Sequence, residues 1–276
     1  EYSSDFSFIP YLTLRLLSKP DDIFTPSELP LIPVALHTNF KISAAGETLI
    51  LTSQDGTIID QITTGEMATN ISYGRKPDGS EEWMFFNAPT PGEANTTSGY
   101  DKISPNVIFE PEGGFYANSI KLSLSLEENG YPVYYTLDGS EPTKNSQLYT
   151  GPVSINETTV VRARVIDSNT LPGKITTRTY FIHTNHDLPV ISLATDPPNL
   201  WDPDSGIFVL GHDYQHEIPY FGANFWEDWE KPVHLELYEP DGSFGFNVDA
   251  GMKIFGGWSR SKPQKSLAIY ARKEYG

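Results

Sequence analysis

Apolar and polar residues alternate with a period of two in several short runs of this chain. Ile120, Leu122, Leu124 and Leu126 stand between Lys121, Ser123 and Ser125, which predicts a strand with one buried face. Val133–Gly139 (VYYTLDG), Val160–Asp167 (VVRARVID) and Thr176–Ile182 (TTRTYFI) read as further strands. Glu47–Ile62 (ETLILTSQDGTIIDQI) reads as two strands joined at Gln54-Asp55-Gly56-Thr57. Long helical periodicity is absent. The best short helix start is Asp196-Pro197-Pro198-Asn199-Leu200-Trp201, with Asp196 expected as N-cap and Pro197 at the first helical position.

Asp-Gly pairs at Asp55-Gly56, Asp78-Gly79, Asp138-Gly139 and Asp241-Gly242 mark hairpin turns, because both residue types tolerate positive φ. The 22 Pro and 22 Gly punctuate short elements in the same sense. These signals predict an all-β chain with consecutive immunoglobulin-like β-sandwiches. Thr96-Thr97-Ser98-Gly99 is a polar linker. The expected domains are a β-sandwich over 1–98, a second over 101–184, and a β-rich unit over 187–276.

Hydrophobic residues make up 38% of the chain, which is enough to build cores and argues against wholesale disorder. A net charge of -17 repels a phosphate backbone, so no nucleic-acid partner is expected. Without cysteine there is no disulfide, thiolate nucleophile or cysteine-bound zinc. No apolar run approaches eighteen residues, so no transmembrane segment is expected. Glu1 is not an initiator Met, and the expectation is a mature, trimmed or designed N-terminus.

The chemistry concentrates between Gly251 and Gly276, GMKIFGGWSRSKPQKSLAIYARKEYG. Gly251, Gly256 and Gly257 are expected to flank a turn between two strands. There, backbone N–H groups can approach phosphate oxygens. Arg260 can grip phosphate bidentately and Lys265 can act as a point charge. Arg260, Lys262, Lys265, Arg272 and Lys273 form a positive island against the single acid Glu274. Gly256, Gly257, Arg260 and Lys265 are therefore the candidate nucleotide- or phosphate-binding residues. The same pattern also fits a glycine hairpin with solvated charges. It is not a Walker A loop, since no Lys-Ser/Thr follows the glycines and strands flank them.

Other constellations point to structure. His212 and His216 stand four apart, but Asp213 replaces the glutamate of a zincin, and Gly211 and Pro219 argue against a helix. No metal site is expected. Asp202-Pro203-Asp204-Ser205-Gly206 lacks the calcium-loop pattern and reads as a polar turn. Tyr214, Tyr220, Phe221, Phe225, Trp226 and Trp229 are a core cluster if buried and a sugar-stacking or protein-binding platform if exposed.

Three resemblances rest on longer strings. The strand pair after LHTNFKISAAGETL, the Arg75–Ser80 turn, the Trp83 strand and the closing PTPGEAN resemble the lamin-tail domain over about 36–95, which implies an immunoglobulin-like sandwich. YYTLDGSEPT, LYTGPVSI and TTVVRARV resemble the C-terminal immunoglobulin-like domain of chitobiases and β-hexosaminidases. That resemblance implies an accessory domain without catalytic residues. EKPVHLELYEPDG, DAGMKIFGGWSR and PQKSLAIYARKEYG resemble the N-terminal part of a CotH-type spore-coat kinase domain over Leu188–Gly276. In an intact CotH-type domain, Lys265 would resemble the nucleotide-contacting strand lysine with Arg260 beside it, and ATP and Mg would be the cofactors.

Phosphoryl transfer also needs acidic metal ligands and a catalytic base, which the chain as it stands is not expected to supply. The expectation is a non-catalytic portion of an exported, extracellular or cell-surface bacterial protein. It would serve in adhesion, binding or domain presentation, with an unknown cell-surface protein or glycan as partner. The alternatives are the N-terminal half of a CotH-type secreted kinase and a carbohydrate-binding module.

Overall fold

Asp55-Gly56 closes the first hairpin of a computed structural model that describes residues 42–43, 45–272 and 274–275. Strands β1 (Thr48–Thr52) and β2 (Ile58–Thr63) pair antiparallel across it, and β3 (Ser72–Arg75) and β4 (Trp83–Phe86) form a second antiparallel pair. Among the described residues of this region, Phe86 is the buried hydrophobic side chain. Residues 1–41, which include the first part of the lamin-tail-like stretch 36–95, lie outside the described residues.

The chain divides into two compact units, Glu1–Ile103 and Ser104–Gly276. The second unit begins with β5 (Ile108–Glu110), β6 (Gly114–Tyr116), β7 (Ile120–Ser125), β8 (Val133–Thr136), β9 (Gln147–Leu148), β10 (Val153–Ile155), β11 (Thr159–Val165) and β12 (Thr176–Ile182). They form two sheets, β10-β7-β5 and β6-β12-β11-β8-β9, with β6 and β12 parallel and the other pairs antiparallel. The predicted alternation places Leu122 and Leu124 of one sheet with Val161, Ala163, Val165, Tyr180 and Ile182 of the other in a single core. Side chains of consecutive strand residues point to opposite faces, so Arg162 and Arg164 lie on the outer face of the larger sheet.

The chain then builds a four-stranded antiparallel sheet in the order β13 (Val190–Ala194), β14 (Lys231–Tyr238), β15 (Phe244–Phe255), β16 (Ser266–Tyr270). Residues 195–230 contribute Ile207, Ala223 and Phe225 to a core with Val233, Ala250, Met252 and Ile254. The fold is all-β, and among the described residues the only α-helix is the single turn Pro198–Trp201. No helix among the described residues is long and apolar enough to cross a membrane.

Two local expectations change in detail. At the Asp-Gly turns, only the glycines take positive φ, between 75° and 88°. The aspartates instead act through their carboxylates: Asp55, Asp138 and Asp241 each accept the N–H of the residue two places on, at 2.9–3.1 Å. The helix starts at Pro198 with Pro197 in the cap position. Asp196 does not cap it, because its carboxylate accepts the Glu141 N–H at 2.9 Å.

Candidate functional site

Gly256 follows β15 with φ at +115°, and the chain turns through a 3₁₀ segment at Trp258–Ser261 before β16 begins. Gly256, Gly257, Arg260 and Lys265 are thus gathered at one sheet end, but the cations face inward. Arg260 Nε donates to Gly256 O at 2.7 Å, and Nη1 reaches Trp226 O at 3.2 Å and Phe225 O at 3.4 Å. Its guanidinium lies 5.8 Å from the Trp226 ring centroid. Lys265 Nζ donates to Arg260 O at 2.6 Å and Lys262 O at 3.0 Å. Burial pulls the Lys265 ammonium below its ordinary value. Two cations that staple backbone carbonyls have fewer donors left for an anion.

Gly251 does not flank this turn. It lies inside β15, opposite Pro232 and Tyr270. A Cβ there would stand 2.0 Å from Glu230 Oε1. The missing side chain leaves room for the Glu230 carboxylate, which accepts from Arg272 and from the Tyr275 hydroxyl, each at 2.9 Å. Arg272 is therefore paired with an acid, and Lys273 lies outside the described residues.

A second polar cluster lies inside the Ser104–Gly276 unit, where β12 meets the four-stranded sheet. His234 Nδ1 is 2.6 Å from Asp249 Oδ1, and Asp249 Oδ2 is 3.0 Å from Lys174 Nζ. Burial alone would raise the Asp249 carboxyl, but the hydrogen bonds and charges of His234 and Lys174 bring it below its ordinary value. Thr179 and Ser192 share a hydroxyl hydrogen bond at 2.7 Å, and Tyr238 OH is 3.1 Å from Glu236 Oε1. An adjoining cleft of about 430 Å³ is lined by Asn106, Lys174, Arg178, His234, Asn247 and Asp249 among others. Two of its cations are paired, Arg178 with Glu112 at 2.6 Å and Lys174 with Asp249 at 3.0 Å. The arrangement ties two layers together.

Sequence reasoning missed His234, Glu236 and Asp249. The usable signal was in TTRTYFI. Tyr180 and Ile182 enter the sandwich core, so Thr177, Thr179 and Phe181 must face the other way, and a phenylalanine there calls for cover. Tyr238 supplies it, with ring centroids 5.5 Å apart.

The remaining candidates are structural. His212 Nε2 is 3.0 Å from Asp204, while His216 packs edge-on to Tyr214. No group of three or more metal-ligating side chains is placed to hold an ion among the described residues. Asp202 folds its own turn, accepting from the N–H groups of Asp204 and Ser205. Phe225 is buried, and Tyr214, Tyr220, Trp226 and Trp229 pack against the same core. Trp226 Nε1 donates to Pro219 O at 2.9 Å.

Residues 111–177, within the two-sheet sandwich, match the family model of the chitobiase/beta-hexosaminidase C-terminal domain. Searches of curated proteins and of solved structures gave no match.

Proposed function

We propose that this chain is a non-catalytic binding and presenting portion of an exported bacterial surface protein, with residues 104–276 acting as a rigid spacer that offers a partner-binding surface. The observation that carries this reading is the inward commitment of Arg260 and Lys265 to backbone carbonyls. The sandwich matched to the chitobiase family model supports a carbohydrate-associated setting. Phe255 and Trp258 are 58% and 68% exposed beside the glycine turn, and such rings can stack on a sugar or anchor a protein partner. The lamin-tail-like reading of 1–98 belongs to the same proposal and rests on its quoted strings.

The test is a glycan array and a surface-protein pull-down with wild type and Trp258→Ala. Binding that is lost in the variant supports the reading. No binding by wild type to either target class overturns it.

One geometry favours a second reading, the opening of a CotH-type kinase domain. A glycine turn joins antiparallel β15 and β16, and Lys265 stands immediately before β16. Titration with ATP and Mg at low salt decides between the two. Binding that Lys265→Ala and Arg260→Ala both weaken favours the kinase reading, and identical responses from all three proteins exclude it.

A further inference from the structure

Glu236 has no exposed surface. It lies on β14, on the face turned toward β12, at the seam between the two-sheet sandwich and the four-stranded sheet. Its Oε1 accepts from Tyr238 OH, and that hydroxyl also lies 3.4 Å from Thr179 O. Its Oε2 is buried without a hydrogen-bond partner among the described residues. The neighbouring hydroxyls of Thr179 and Ser192 share one hydrogen bond at 2.7 Å.

The charged and titratable groups around it are engaged elsewhere. On its own strand, His234 is bonded to Asp249 of β15, which also holds Lys174. On β12, Arg178 is paired with Glu112 and donates to Thr177 O, and the Tyr180 hydroxyl donates to Pro111 O. Among the described residues, no cation is in direct contact with the Glu236 carboxyl. An ionised carboxylate here would be a buried charge met only by neutral hydroxyl donors, which is costly. A protonated acid fits the same space at a far smaller cost.

We propose that Glu236 is a proton-operated latch: protonated, it lets the sandwich and the four-stranded sheet close on each other, and its ionisation as pH rises loosens the seam. Burial pushes the carboxyl above its ordinary value, against opposing contributions from Thr179, His234 and Tyr238. The sign follows. A native state that holds its proton longer than the unfolded chain loses stability as pH rises from the ordinary glutamate range to the raised native value. The latch is therefore strongest in acid.

The experiment is thermal unfolding of wild type and Glu236→Gln from about pH 4 to pH 8. Glutamine keeps the size of the neutral acid and removes the ionisation. The expected result is that Glu236→Gln melts about 3 °C or more above wild type at neutral pH, a shift typical of a small free-energy change in a domain of this size. The gap should close at about pH 4. A gap that stays constant across the range, or a variant less stable than wild type throughout, overturns the proposal. Should the variant not fold, hydrogen exchange on wild type decides. Amides of β12 and β14 should be better protected at about pH 5 than at pH 7.5 after correction for intrinsic rates. Equal protection overturns the latch.

Discussion

Lys265 stands over Phe225, with its ammonium nitrogen 4.0 Å from the ring centroid. Phe225 is itself a core residue, so this cation closes one end of the core beneath the four-stranded sheet. The same nitrogen bonds the carbonyls of Arg260 and Lys262, which fixes the path of the chain from Gly257 into β16. Lys265 thus performs a packing function as well as carrying charge.

The first prediction follows from that contact. Lys265→Met preserves the aliphatic stem but removes the cation–π contact and both carbonyl bonds. A partly exposed cation–π contact contributes about 0.5–1 kcal/mol, and the two bonds add a comparable amount. The expected loss is about 1–2 kcal/mol in urea denaturation. A variant as stable as wild type would refute the packing role.

Much of this architecture was legible in the sequence, because strand periodicity and turn chemistry are local. Ile120–Leu126 is realised as β7, Ile120–Ser125, with Leu122 and Leu124 in the core. Direction and cover are not local properties. Spacing places Arg260 and Lys265 on one turn but cannot say that their charged ends point to carbonyls. His234 and Glu236 alternate with Val233 and Leu235, a pattern that reads as a solvated face. The threonine face of β12 covers them, and that contact joins strands more than fifty residues apart. Asp196 failed as a cap for the same reason, since the Glu141 N–H arrives from the sandwich.

The second prediction concerns the β1–β2 hairpin. The Ser53 hydroxyl and the Thr57 N–H hold the Asp55 carboxyl at about 2, against 3.8 for a free side chain. A depressed value means that the hairpin gains from the ionised form above 3.8 and loses that gain as pH falls toward 2. Carboxyl-carbon titration by NMR should place Asp55 near 2 in wild type, and Ser53→Ala should move it upward. A wild-type midpoint close to 3.8 would count against the turn geometry.

Asp249 supplies the third prediction. Its side chain is only 25% exposed and joins His234 and Lys174 across the layer seam. Asp249→Asn removes the charge that both partners use, and the expected cost is about 1–3 kcal/mol at neutral pH. The native carboxyl lies below its ordinary value, so its stabilisation is complete above the ordinary aspartate range and fades as pH falls through the native value. Denaturation curves of wild type and variant should therefore converge in acid. This slope is opposite in sign to that of Glu236, so the seam should be most stable at mildly acidic pH. A wild type that gains stability steadily up to pH 8 would contradict the pairing of the two slopes.

The last prediction concerns Gly251 and the end of the chain. Gly251 sits inside β15, where its lack of a side chain admits the Glu230 carboxylate, and that carboxylate holds Arg272 and Tyr275. Burial pushes the Tyr275 hydroxyl up, and its bond to Glu230 adds to this, so that it titrates at about 12. Gly251→Ala puts a methyl where Glu230 Oε1 lies, 2.0 Å from the new Cβ. Backbone cannot yield easily in a central strand, so the carboxylate must swing away. Overpacking of this kind costs about 1–3 kcal/mol. The C-terminal residues should then exchange faster with solvent, and Tyr275 should titrate nearer 10. The phenol is isolated by subtracting the alkaline absorbance titration of a Tyr275→Phe protein in each background. If Gly251→Ala leaves the Tyr275 titration unchanged, Glu230 is not held by the gap at Gly251.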